Sequence, residues 1–348
     1  MQLSRRKILQ TSLASTGLGA LGAPIWMPSA HAQVALQVGL SWVSNVEYAG
    51  LWVALEKGFF REEGLAVQAV PGGPNAPPPL VGVAAGKLQI GYTNWFPFLD
   101  AVAKNNDFVL VGVTFPISPL GILSLAAKPI RKPADLVGAK LLVQGPNERA
   151  AIDAVLTMAG LPKTVQYVQT GFSPEPLLSK QGDGYTAFVT NQAVTLERMG
   201  LQRDKDFFFA SFDELGYRTY SSCLFTSRSY LQSNRAQVVG FMKGLTRGWQ
   251  EAEKDPAYAS GLAVSKYGVD LGLDARQQQR QSELQLPLLR RAGSSQRLLM
   301  LDRQAISGPM YTAARAAGRS ELPAVETITD ISVMEEVYRS IGAPGARP

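Results

Sequence analysis

Residues 34–70 read VALQVGL SWVSN VEYAGLWVALEKG FFREEG LAVQAV, and the fold is decided there. Positions 34–40 are largely apolar and stop at a polar loop, 41–45, so they read as a strand. Asn45 carries the short polar side chain that caps a helix start, and the stretch behind it predicts a helix over 46–58, closed by Gly58. Residues 65–70 form a second strand, stopped by Pro71-Gly72-Gly73-Pro74. Strand, loop, helix and strand in so short a span are the unit of an α/β fold.

The same rhythm continues outward. A short helix over 78–86 leads to a strand at 88–91, a helix at 97–104, and strands at 108–113 and 121–127. A second region follows, with strands at 140–143, 165–168 and 187–190 alternating with helices at 148–159, 175–181 and 193–199. Strands at 207–210 and 222–226 close it, and from 229 onward the pattern is helical, around 233–254, 256–266, 273–290 and 331–340. This predicts α/β architecture with helices on both sheet faces. Two extended segments, 121–127 and 220–226, are placed as crossings between two lobes. Lobe 1 is then 33–122 plus 226–348, and lobe 2 is 123–225, inserted between two hinge strands. Such a clamshell closes around a ligand by hinge motion.

Composition narrows the function. The chain has 348 residues, one Cys and one His, which excludes an internal disulfide framework and a Cys-rich zinc site. The first 32 residues read as an export signal: Arg5-Arg6-Lys7, a mildly apolar stretch, then the small-x-small boundary Ala30-His31-Ala32. The Arg pair resembles a twin-arginine signal, departing from it at Ile8 and Gln10. Cleavage after Ala32 would place the mature chain in the periplasm. It would also remove His31 and leave 31 basic against 28 acidic residues. A chain without His runs neither a Ser-His-Asp nor a Cys-His mechanism. So small a charge excess gives no reason to expect nucleic acid. No cofactor is called for.

The segment Trp42-Val43-Ser44-Asn45-Val46-Glu47-Tyr48-Ala49-Gly50-Leu51, followed by Ala54 and by Glu56-Lys57-Gly58-Phe59-Phe60-Arg61-Glu62-Glu63-Gly64-Leu65, resembles the opening of the periplasmic solute-binding proteins of the nitrate/sulfonate/taurine and thiamine-pyrimidine-precursor group. Ala84-Ala85-Gly86-Lys87-Leu88-Gln89-Ile90-Gly91 resembles a second motif of that family, with Gln89 in place of its usual acid, and 130–138 resembles a third. The likeness covers most of 34–200 and is weak in the helical tail. It implies a two-lobed type II periplasmic-binding-protein clamshell, each lobe a mixed sheet flanked by helices. It also implies a non-catalytic, monomeric receptor that hands a small solute to the permease subunits and ATPase of an ABC importer. The thiamine-pyrimidine synthases that share the fold use a Cys-rich motif and a His, which the mature chain lacks. A periplasmic sensor partner would look the same in sequence.

In open α/β sheets ligands bind beyond the carboxyl ends of the strands. The corresponding loops are 41–48, 71–77 and 92–97 in lobe 1, and 144–149, 170–175 and 190–192 in lobe 2. They offer Trp42, Tyr48, Trp95 and Phe172 as aromatic surface, and Asn45, Asn94 and Asn191 as orienting amides. Glu47 supplies a carboxylate, Gly73 a close backbone approach, and Arg149 one possible anion contact. Each has a structural alternative: Glu47 as a helix-dipole partner, Trp42 as a lid on the core, Trp95 as packing, 71–79 as a stiff turn. An acid among aromatics, with no Lys or Arg in the lobe 1 loops, suits a flat nitrogen heterocycle such as a thiamine pyrimidine precursor or a flavin. An alkanesulfonate, taurine or nitrate is the alternative.

Overall fold

Among residues 33–291 and 296–342, which the computed structural model describes, ten strands form two five-stranded sheets. The export-signal reading falls outside those residues. Strands β1 (Val34–Gly39), β2 (Leu65–Val70), β3 (Ile90–Thr93), β4 (Phe108–Phe115) and β10 (Ser221–Ser227) make the first sheet, in the order β2-β1-β3-β10-β4. Strands β5 (Leu120–Leu125), β6 (Lys140–Val143), β7 (Gln166–Gln169), β8 (Gly184–Phe188) and β9 (Phe207–Ser211) make the second, in the order β7-β6-β8-β5-β9. The two are built alike. Three strands run parallel, β2-β1-β3 and β7-β6-β8, and a fourth, β10 or β5, pairs antiparallel with both neighbours.

The fourth strand of each sheet is the one delivered by a crossover. This shifts the crossings from their expected positions. Leu120–Leu125 lies wholly in the second sheet and Ser221–Ser227 wholly in the first, so the chain passes between lobes at 116–119 and 212–220. Strand β8 starts at Gly184, earlier than the expected 187, because 184–188 is the run that pairs with β5.

Period-two alternation gives each sheet two buried faces. In the first, Val109, Val111 and Leu224 join a core around Trp52, Phe60, Phe241 and Trp249, while Leu110, Cys223 and Phe225 face another around Trp95, Phe98 and Tyr311. In the second, Ile122, Leu141 and Val143 pack on the Pro146–Met158 helix, and Leu123 and Leu142 pack on the opposite face. The Ala49–Glu56 helix lies against the long Arg235–Lys254 helix at Gly50 and Gly248. A Cβ on Gly248 would fall 2.0 Å from the Gly50 carbonyl oxygen, so only glycine permits this approach.

The tail serves both lobes. The Tyr311–Ala316 helix, in a tail that the sequence read as helical without bounding an element here, puts Ala313 into the core of the second lobe. The expected 273–290 helix is the shorter Ala275–Gln285, followed by a 3-10 turn at Leu286–Leu288. Arg291 ties the crossings together: its guanidinium donates to both Asp213 carboxylate oxygens at 2.6 and 3.0 Å and to the Pro116 carbonyl at 3.1 Å.

Candidate functional site

A cavity of about 290 Å³ lies where the loops after β1, β3, β6, β7 and β8 converge. Six expected residues come together in its wall: Trp42, Asn45, Glu47 and Asn94 from the first lobe, Phe172 and Asn191 from the second.

The first-lobe wall is built on a 3-10 turn, Val46–Tyr48. The Asn45 side-chain oxygen accepts from the Glu47 N–H at 2.9 Å, capping the turn, and the Asn45 carbonyl accepts from the Trp52 indole at 2.8 Å. Glu47 then faces Ser222, whose hydroxyl donates to its carboxylate at 2.5 Å. Burial pushes the Glu47 carboxyl above the usual range, and the Ser222 hydrogen bond opposes that shift. Ser222 itself has φ of 51°, a left-handed conformation uncommon for a residue with a side chain. Its neighbour Ser221 donates to the Asn94 side-chain oxygen at 2.9 Å, and the Ser222 N–H reaches the same oxygen at 3.2 Å. Backbone strain held by hydrogen bonds to two cavity-lining residues, Glu47 and Asn94, is the kind that clusters at functional sites.

Four expected residues sit elsewhere. Tyr48 is buried in the core against Tyr92 and Trp52; its hydroxyl accepts from the Trp42 N–H at 2.9 Å and so shapes the loop from behind. Gly73 lies beside the Val43 side chain and is not among the cavity's lining residues, nor is Gly72, whose close approach is to the chain itself: a Cβ there would stand 2.2 Å from the Leu40 carbonyl oxygen. Arg149 points away, toward Gln169 at 3.4 Å and the Tyr167 ring at 5.7 Å. Trp95 is core, packed on Phe98, Tyr220 and Tyr311, and it borders a smaller recess of about 100 Å³ beside the main cavity.

The cavity also holds Glu148, an acid that the sequence did not single out: it stands in the first turn of the Pro146–Met158 helix and lines the space from the second lobe, as do Phe188 and, from the 190–192 loop, Thr190 and Gln192. Gln192 accepts from the Phe188 N–H at 2.9 Å. Two carboxylates, one from each lobe, therefore border one space, and no Lys or Arg is among its described lining residues. Trp42 and Phe172 meet across the cleft edge to face, with ring centroids 5.5 Å apart. Phe172 is 55% exposed, an unusual exposure for a large ring.

The Ala275–Gln285 helix forms a third wall through buried Gln281. It grips both lobes. Gln278 accepts from the Val46 N–H at 2.9 Å and Gln285 donates to the Val46 carbonyl at 3.0 Å. On the other side, Gln277 donates to Asn191 at 3.1 Å, Asp274 pairs with Arg198 at 2.8 Å, and Arg280 pairs with Glu197 at 3.0 Å.

Two lobes of like topology, joined by two crossovers around a cleft where strand-end loops converge, are the periplasmic-binding-protein fold. The periplasmic aliphatic sulphonate binding protein SsuA from Escherichia coli shares it, with a TM-score of 0.64 and 17% identity over 84% of this chain and 91% of that one. The chain belongs to the NMT1/THI5-like family, whose model matches residues 45–259. The Formylaminopyrimidine-binding protein of Halalkalibacterium halodurans is 25% identical over 242 residues, 66% of this chain and 70% of that protein. The 4-amino-5-hydroxymethyl-2-methylpyrimidine phosphate synthase of Legionella pneumophila is 24% identical over 229 residues, 64% of this chain and 71% of that enzyme.

Proposed function

We propose that this chain is the solute-binding component of an importer and that its solute is a single-ring, amino-bearing nitrogen heterocycle of the pyrimidine type. The observation that carries this reading is the pair Glu47 and Glu148, facing one aromatic-edged cavity whose described lining has no cation. A carboxylate accepts well from an exocyclic amine or a protonated ring nitrogen. An anion within about 4 Å of either carboxylate would be repelled by roughly 4 kcal/mol at an effective dielectric near 20. That argues against an alkanesulfonate or nitrate, and against the sulfonate end of taurine, despite the shared fold. Size argues against a flavin: about 290 Å³ is at the small end of ligand pockets, which span roughly 300–1,000 Å³.

Capture works by closure about the crossings at 116–119 and 212–220. Ligand touching Glu47 and Asn94 on one lobe and Glu148, Asn191 and Phe172 on the other has more partners when the lobes are together, and that difference drives closure. Asn45 orients from the capped turn, and Trp42 and Phe172 cover the ring. The receptor reads as non-catalytic: Cys223, the one thiol, is buried in the first sheet and burial raises its pKa. Residues 1–32 would direct export to the periplasm with cleavage after Ala32, and the mature monomer would deliver its solute to permease subunits and their ATPase. No helix among the described residues is long and apolar enough to cross a membrane.

Calorimetric titration with 4-amino-5-hydroxymethyl-2-methylpyrimidine, its phosphate, taurine and a flavin tests the reading. The neutral pyrimidine is expected to bind most tightly. Tighter binding of taurine, or turnover of the pyrimidine, would overturn it.

A further inference from the structure

The third wall of the cavity holds an amide that the fold itself does not use. Gln278, Gln281 and Gln285 recur at three- and four-residue intervals and so share one face of the Ala275–Gln285 helix. The outer two are engaged by the Val46 backbone: Gln278 accepts from its N–H at 2.9 Å and Gln285 donates to its carbonyl at 3.0 Å. Gln281 sits between them, only 4% exposed, and lines the cavity. Among the described residues its side-chain amide has no hydrogen-bond partner, yet neither amide atom is sealed off as the hydroxyl of its neighbour Ser282 is. In a residue so buried, the access that remains is to the cavity it lines. A buried polar group without a partner costs stability, so an amide kept there calls for a partner that arrives from outside the fold.

We propose that Gln281 is a solute-contacting residue that helps to set specificity. Ionised Glu47 and Glu148 only accept hydrogen bonds, whereas an amide both donates and accepts. Gln281 therefore takes a hydrogen-bond acceptor of the solute, an oxygen or an unprotonated ring nitrogen, which either carboxylate would repel. The inference rests on reading this cavity as the solute site, and not on which solute fills it. Position 281 lies beyond the residues 45–259 that the family model matches, so the contact is supplied by this chain's own tail. Two anchors fix the helix that carries it. One is Val46, next to Glu47 in the first lobe, and the other is Asn191 in the second, which accepts from Gln277 at 3.1 Å. With the helix bonded to both lobes, the amide is in place when they are together.

The test titrates wild type, Gln281→Met and Gln281→Glu by calorimetry at pH 7, using whichever of 4-amino-5-hydroxymethyl-2-methylpyrimidine and taurine binds wild type, and melts each chain without solute. Methionine keeps the length of the side chain and removes both polar atoms. Glutamate keeps the shape and an acceptor and removes the donor. Each variant is expected to bind about tenfold more weakly, the worth of one hydrogen bond. Solute-free Gln281→Met is expected to melt at or above the wild-type temperature, because it gives up no hydrogen bond within the protein. A wild-type dissociation constant in either variant would overturn the proposal. So would a Gln281→Met chain that melts well below wild type, which would give the amide a structural task instead. If neither solute binds wild type, the solute-site reading itself falls and takes this inference with it.

Discussion

Replacing Glu47 by Gln should move stability and affinity in opposite directions. Burial raises the Glu47 carboxyl pKa in the folded chain, against the opposing Ser222 hydrogen bond. A carboxyl whose folded pKa exceeds its unfolded value, near 4.5, holds its proton more tightly in the fold. Its stabilising contribution is therefore present at low pH and is lost as pH rises from the unfolded toward the folded value. At pH 7, well above the unfolded value, burial of Glu47 therefore weighs against folding. Gln is nearly isosteric and keeps a carbonyl oxygen for the Ser222 hydroxyl, which now donates at 2.5 Å. The ligand-free variant should thus be more stable than wild type at pH 7, and the gap should narrow toward pH 4. Binding should suffer. A hydrogen bond to a charged acceptor contributes about 1.5–3 kcal/mol and a neutral one about 0.5–1.5, so the variant loses about 1–2 kcal/mol. That is roughly a 5- to 30-fold weaker dissociation constant for an aminopyrimidine. Denaturant melts from pH 4 to 8 and titration calorimetry at pH 7 read both effects. A variant that is less stable at pH 7, or one that binds as well as wild type, would refute the reasoning.

Trp42→Ala and Phe172→Ala each remove one ring of the pair across the cleft, centroids 5.5 Å apart. Each should weaken binding by about 1–3 kcal/mol, and tryptophan fluorescence titration of Phe172→Ala should show it with little change in melting because that ring is 55% exposed. Gln278→Ala strands the buried Val46 N–H and should cost about 1–3 kcal/mol of stability by denaturant melts. Arg280→Ala breaks only part-exposed pairs and should cost less than about 1 kcal/mol, yet small-angle scattering of the ligand-free chain should show a more open shape; an unchanged profile would remove this helix as a clasp. Arg291→Ala releases Asp213 and Pro116, so amide exchange should speed up at 116–119 and 212–220 relative to the sheets; unchanged exchange there would mean the crossings are held by other contacts.

The sequence located the loops well and the faces poorly, and the reason is geometric. Strand and helix positions carry period-two and period-3.6 signals, so β1, β2 and the Pro146–Met158 helix were legible to within a few residues. A loop has no period. In the 3-10 turn Val46–Tyr48 neighbouring side chains point about 120° apart, which sends Glu47 to the cavity and Val46 and Tyr48 to the core. In the next lobe Glu148 and Arg149 are about 100° apart on a helix, so the acid lines the site and the cation leaves it. Reading the wrong neighbour reverses the sign of the expected ligand. The tail hid its role differently. The Ala275–Gln285 helix buries Gln278, Gln281, Ser282 and Gln285, a stripe with helical spacing that contains no apolar residue. A search for hydrophobic periodicity passes over it as a solvated helix. Yet buried amides need partners, and a stripe of them is stable only against exposed backbone donors and acceptors, not against a hydrocarbon core. Here the backbone is Val46, inside the ligand loop. Amides recurring at three- and four-residue intervals in a helix otherwise poor in apolar residues are therefore themselves a sign of a helix docked on an irregular loop, and in this chain they point to the site from more than 230 positions away.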